Sequence, residues 1–209
     1  MARDEERARR AREQPIVGGL PDAPGIQVAM RLTPGLGLHL RGLADELLVK
    51  PFPGATLRRH ERELLATAVS AANDCFFCMD SHGAFAQALM EREGATELAP
   101  VIDVVKTGSR EGLSDKLRRL MDIALTVRRD PLELTRADVE AALAAGASDA
   151  DVQLAVLIAS AFSMYNRLVD GFRAQTPPVV EAYVERAAQI AELGYSAPAP
   201  APAPAAKPS

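Results

Sequence analysis

Apolar residues recur at three- and four-residue intervals over 57–72 and again over 75–92, with Asn73-Asp74 between the two runs. That period is helical. Asn73-Asp74 is a natural stop and cap, and Gly94 suits the end of the second run. The same spacing predicts a helix over 36–48, ended by Pro51-Phe52-Pro53-Gly54, and further helices over 96–106, 114–129, 135–145, 148–172 and 177–193. Two of these open with capping-type residues, Thr135-Arg136-Ala137-Asp138 and Ser148-Asp149-Ala150-Asp151. No run has the alternation of a strand. The expected fold is all-α, a helical bundle with a helix hairpin around 73–74 at its centre.

The ends read differently. Residues 1–14 are almost all charged or Ala, a charged N-terminal tail able to form a solvated helix without an apolar stripe to dock it. Residues 15–37 are punctuated by Pro and Gly and read as irregular chain, or as an arm across another surface. Residues 196–209 alternate Ala and Pro, a composition expected to stay disordered. A single helical domain over 15–195 is left between the tails.

Composition narrows the function classes. The chain has 209 residues, enough to bury a substantial core, and its apolar content is mostly Ala, Leu and Val, with no Trp. The formal charge is −4 with both signs interspersed, so no basic stripe marks a nucleic-acid footprint. The longest uncharged stretch, 152–166, falls short of the ~20 residues of a spanning helix, so no membrane span is expected. The N-terminus lacks the apolar core of a secretory signal and has too many acids for a transit peptide. The expected compartment is the cytoplasm, where paired cysteines are more often catalytic or metal-binding than structural.

The two cysteines of the chain sit in Cys75-Phe76-Phe77-Cys78-Met79-Asp80-Ser81-His82, and Glu63 lies twelve residues upstream. If Asp74 caps the second helix, Cys75, Cys78 and His82 fall within a roughly 60° arc on one face. A helix N-terminus and a neighbouring imidazolium both favour thiolate. The first argument favours Cys75 and the second Cys78, so spacing alone does not rank the thiols. In one unbroken helix Glu63 would lie ~18 Å from Cys75. A break at Asn73-Asp74 lets the helices fold back, setting Glu63 against His82 as a proton-shuttling pair. Three other readings stand beside this one: a zinc site of Cys75, Cys78, His82 and a fourth ligand such as His60, a redox switch or scaffold without turnover, and thiols that merely neighbour the core residues Phe76, Phe77 and Met79. His39 and His60 read as surface or satisfied core residues.

The spacing Glu63-x11-Cys75-x2-Cys78-x3-His82, inside Arg-Glu-Leu-Leu-Ala-Thr-Ala-Val and Cys-x-x-Cys-x-x-Ser-His-Gly, resembles the alkylhydroperoxidase D-like, peroxidase-related branch of the carboxymuconolactone decarboxylase family over about 56–91. Asn166-Arg167 in the last long helix echoes an Asn-Arg pair of the peroxidase-related members. The resemblance implies a cofactor-independent thiol peroxidase with Cys78 peroxidatic, Cys75 resolving, and Glu63 and His82 as the proton relay. It also implies a hydroperoxide substrate, a dithiol reductant of lipoyl or thioredoxin-like type, and a homo-oligomer, trimer or hexamer. The apolar run 152–162, His39 and the N-terminal arm are candidates for subunit contacts. Decarboxylase members lack the cysteine pair. One position departs from the best-studied branch: Phe77 stands where a second His precedes the second cysteine, which removes a possible proton donor.

Overall fold

Helix α4, Arg59–Ala72, is the element around which the others pack: every side chain from Arg62 to Ala71 is buried. In a computed structural model of the chain, which describes residues 2–196, it is preceded by α1 (Ala2–Arg10), α2 (Gln27–Leu32) and α3 (Pro34–Leu48). After it come α5 (Phe76–Glu93), α6 (Pro100–Lys106), α7 (Asp115–Arg129), α8 (Arg136–Ala144), α9 (Asp149–Gly171) and α10 (Val184–Leu193). Short 3-10 turns occupy Thr96–Leu98, Pro131–Glu133 and Val180–Tyr183. Among the described residues there is no strand, and a single bridge ties Pro24 to Gln175. The architecture is all-α. Helix α4 packs most extensively against α5, with α7 and α9 on its other sides and α10 against α5. The Ala/Pro tail expected over 196–209 lies, from 197 onward, outside the described residues.

Side chains that close helix ends set this packing. Ser148 and Asp151 form the predicted capping box of α9. Asp151 does more: its fully buried carboxylate also accepts bonds from Thr56 N (2.7 Å), Thr56 Oγ1 (2.8 Å) and Leu57 N (2.9 Å). Burial alone would push that carboxyl up, but these bonds outweigh it and hold it below its usual range. Two arginines of α4 work in the same way. Arg62 donates to Lys50 O (2.8 Å) and Leu57 O (3.1 Å) beyond α3, and Arg59 to Ile190 O (2.9 Å) and Ala191 O (2.8 Å) at the end of α10. Each ties α4 to backbone carbonyls of a neighbouring segment.

Two expectations need correction. The segment 15–37 is not irregular throughout. It contains α2, whose Val28, Ala29 and Met30 are buried, and the start of α3, capped by Thr33 with Pro34 in its first turn. The N-terminal helix docks without an apolar stripe, by charge: Arg7 grips the fully buried Asp80 through Nε (2.8 Å) and a second nitrogen (3.2 Å), and Arg10 lies 3.6 Å from Asp170. Helix α9, Asp149–Gly171, follows the expected 148–172 and contains the uncharged stretch 152–166. Its length and composition would suffice to cross a membrane, but 56 % of its most apolar window is buried inside the molecule. In the run 152–162, Leu154, Ile158 and Phe162 are essentially inaccessible within the chain's own core, and Leu157 is exposed.

Candidate functional site

The turn between α4 and α5 is three residues, Asn73-Asp74-Cys75. Asn73 ends α4, Asp74 adopts a left-handed φ of 54°, and Cys75 begins the next helix as its N-cap. Cys75 N–H donates to Ser70 O (3.0 Å) and Asp74 N–H to Ala71 O (3.2 Å), the paired bonds of a Schellman ending. Asp is one of the few residues other than Gly that visits this region readily. Asp74 therefore terminates α4 instead of capping α5, and each cysteine sits one position earlier in its helix than expected. A partly buried network braces the turn: Asn166 donates to Ser70 Oγ (3.0 Å) and accepts from Asn73 Nδ2 (2.8 Å), and Arg128 Nε donates to Asn73 Oδ1 (2.6 Å). Of the Asn-Arg echo, only Asn166 faces this site; Arg167 is exposed and bonds Ser163 O.

The fold-back brings together Glu63 of α4 and Cys78 and His82 of α5, with Cys75 at its start. His82 Nδ1 lies 2.6 Å from Glu63 Oε2, and Glu63 is fully buried. Engaging Nδ1 in this way leaves Nε2 as the ring atom able to exchange a proton elsewhere. Phe162 and Phe85 meet the imidazole edge-on, with centroids 4.6 and 5.1 Å away, and fix its plane. Both thiols are buried, at 0 % exposure for Cys75 and 2 % for Cys78, and no disulfide joins them. The hydrogen bond from Cys75 to Cys78, with burial and the nearby Asp170 acting in the same direction, pushes the Cys75 thiol well above its ordinary range. Asp170 is itself raised by burial, opposed by Arg10 and by the Cys75 thiol.

A fifth residue completes the cluster. Tyr195, beyond α10, donates from its hydroxyl to Glu63 Oε1 at 2.6 Å and lies 3.3 Å from His82 Nδ1. Burial, reinforced by the Glu63 carboxylate, drives its phenol well above the normal value, so it stays a donor. Its backbone is held in turn: Asp45 accepts from Tyr195 N (2.6 Å) and Ser196 N (3.0 Å). Gly194 makes this possible, with φ 79° and room for no side chain, since a Cβ would come within 2.8 Å of Asp45 Oδ1. Sequence reasoning missed Tyr195, Asp45 and Gly194. The available signal was Gly194-Tyr195 directly after a predicted helix end, a weak one without a partner in view.

Cys78, His82 and Tyr195 open onto a cavity of about 260 Å³ with apolar walls that include Phe77, Phe85 and Phe162. Phe77 is wedged beneath Gly25, whose own Cβ would collide with the ring, and meets Tyr183 edge-on at 5.6 Å. The expected second-histidine position is thus a packed wall of the cavity. The zinc alternative lacks a ligand set: among the described residues no three His, Cys, Asp or Glu side chains are placed to hold a metal ion. His60 is buried, with Nδ1 2.8 Å from Glu93 Oε2, and His39 is exposed.

Residues 40–107, which contain all four predicted site residues, match the carboxymuconolactone decarboxylase family. The surrounding fold is alkylhydroperoxidase D-like. A peroxidase-related protein from Ralstonia eutropha JMP134, described as an alkylhydroperoxidase AhpD core, superposes with a TM-score of 0.66 at 24 % identity, covering 79 % of this chain and 82 % of that one. A peroxidase-related protein from Silicibacter sp. TM1040 superposes with a TM-score of 0.63 at 22 % identity, covering 83 % and 93 %. No curated protein matches the sequence. Tyr183, Tyr195 and Asn166 lie outside the family-matched segment.

Proposed function

We propose that the protein is a cofactor-independent thiol peroxidase working through a Cys75–Cys78 dithiol–disulfide cycle. The observation that carries this reading is the buried Glu63–His82 pair, 2.6 Å apart, whose His82 lines the same cavity as Cys78, with the Cys75 thiol one helical turn before it. Cys78, in the first turn of α5, sits where the helix N-terminus favours an anion. Cys75 is held protonated and is suited to resolution rather than attack.

In this cycle His82 takes the Cys78 proton, with its ring oriented by Glu63. The thiolate attacks the outer oxygen of a hydroperoxide, the O–O bond breaks, Cys78 becomes sulfenic acid, and the departing alkoxide receives the proton as an alcohol. Cys75 then condenses with the sulfenic acid, forming the disulfide and releasing water. A dithiol donor returns the pair to two thiols and is itself oxidised to a disulfide. Because both sulfurs are buried, a slender arm such as a dihydrolipoyl group suits this step better than a flat protein face. Exposed Leu36, Leu38 and Leu43 on α3 support homo-oligomer assembly as part of the proposal.

The test is hydroperoxide consumption coupled to a small dithiol. Wild type should turn over, Cys78→Ser should not, and Cys75→Ser should accumulate a Cys78 sulfenate trapped by dimedone. Full turnover by Cys78→Ser would refute the mechanism. Stoichiometric oxidation with no turnover under any reductant would favour a redox switch instead.

A further inference from the structure

The cavity above Cys78 carries polar groups that the thiol cycle does not use. Deep in it, the Tyr183 side chain is 5 % exposed, and its hydroxyl has no hydrogen-bond partner. A buried hydroxyl left unpaired is costly, and such groups in native proteins call for an explanation. Tyr183 packs in one apolar cluster with Cys75, Phe77 and Cys78, so its hydroxyl belongs to the thiol end of the cavity.

The more exposed end has a different character. Arg31, Arg41 and Arg186 line it, and no Asp or Glu lines the cavity anywhere. Among the described residues Arg31 and Arg41 make no hydrogen bond or ion pair, and Arg186 bonds only neutral acceptors, the Gln189 side chain and Tyr195 O. Burial holds the Arg186 guanidinium below its usual value, with Arg41 adding like-charge repulsion. The nearby acid, Asp45, is already bound by two backbone N–H groups. Three guanidiniums around a partly enclosed rim with no anion of their own are an anion-recognition device. Between rim and floor the walls are hydrocarbon and aromatic.

We propose that this cavity binds medium-chain amphipathic carboxylates, the carboxylate at Arg41 and Arg186 and a polar oxygen at the far end hydrogen-bonded by Tyr183. Resting on the peroxidase reading, the substrate class is then a hydroperoxide that also carries a carboxylate, such as a fatty-acid hydroperoxide. The hydroperoxyl group sits between Tyr183 and Cys78, and the chain lies along Phe85 and Phe162. Burial keeps the Tyr183 phenol protonated throughout the neutral range, so it donates a hydrogen bond to the departing oxygen and retains its proton. The proton that left Cys78 for His82 ends on the alkoxide.

Calorimetric titration of the reduced full-length protein with decanoate and with methyl decanoate tests the binding claim without any thiol chemistry. Decanoate should bind at least about tenfold more tightly than the ester, as expected for loss of one charge-assisted bond. The Arg41→Gln/Arg186→Gln double variant should bring the ratio to near one, and Arg41→Lys should restore part of it. Equal affinity for acid and ester in wild type, or an unchanged ratio in the double variant, would overturn the proposal. Decanoate binding without hydroperoxide turnover would leave the carboxylate site standing and remove the peroxidase reading alone. For the other end, Tyr183→Phe, which preserves the ring against Phe77, should slow oxidation of Cys78 by a carboxylate-bearing hydroperoxide about tenfold while leaving decanoate affinity unchanged. Oxidation at the wild-type rate would remove Tyr183 from the substrate site.

Discussion

The hairpin of α4 and α5 and the C-terminal stretch from Val180 to Ser196 build the same site by opposite means. The hairpin contributes Glu63, Cys75, Cys78 and His82 from within twenty residues, assembled by one left-handed residue at Asp74. The C-terminal stretch contributes Tyr183 and Tyr195 from more than a hundred residues beyond Glu63, and neither belongs to a motif. In the proposed cycle the hairpin provides the reacting groups, and the remote segment adds Tyr195, which donates to the Glu63 carboxylate, and Tyr183, which lines the cavity. Chemistry concentrated in a short segment needs only a turn to assemble. Its environment depends on how a distant chain segment is anchored.

Substitutions on the two sides should therefore differ in size. Glu63→Gln removes the group that orients His82 and should lower the rate of Cys78 oxidation by about 10²–10⁴, the usual span for a lost acid–base function. Tyr195→Phe leaves Glu63 and His82 in contact and should cost roughly tenfold. Stopped-flow measurements on both variants check the order, and equal effects would erase the distinction between reacting and supporting groups.

Stability should separate the anchors as well. Gly194→Ala forces a side chain into a left-handed position against Asp45 and should destabilise the fold by about 1–3 kcal/mol by denaturant titration. Asp74→Gly relieves a strained φ at the hairpin turn and should be neutral or stabilising by up to about 1 kcal/mol.

The smallest effect is in alkali. Burial raises all three tyrosines, Tyr165, Tyr183 and Tyr195, above the phenol's ordinary value of about 10. Above that pH the unfolded chain loses phenolic protons that the native state keeps. The unfolded state then binds fewer protons, so stability, fully present below about pH 10, falls as pH rises through the native values. Tyr195→Phe should flatten that slope in part, the other two tyrosines keeping the rest. An unchanged slope would mean that Tyr195 is not buried against Glu63.

The four-residue cluster was legible because its spacing and a helix break determine where the side chains meet, and because that spacing resembles a known family. Helices α7, α8 and α9 were legible from period and from capping boxes at Thr135 and Ser148. Missed features depend on pairings between distant residues. Asp151 reads as a local cap, yet it also binds Thr56 and Leu57, 95 and 94 positions away. Arg7 reads as part of a solvated tail until the fully buried Asp80 gives it a partner. Asp74 reads as a cap for the following helix, and only its φ shows that it ends the preceding one.

Thiol counting during a single-turnover stopped-flow reaction of the reduced protein with one equivalent of hydroperoxide tests the central claim most directly. The dithiol cycle predicts that one hydroperoxide is consumed for two thiols lost, with the product a Cys75–Cys78 disulfide in the peptide map. Loss of a single thiol, or hydroperoxide consumption with both thiols intact, would contradict it.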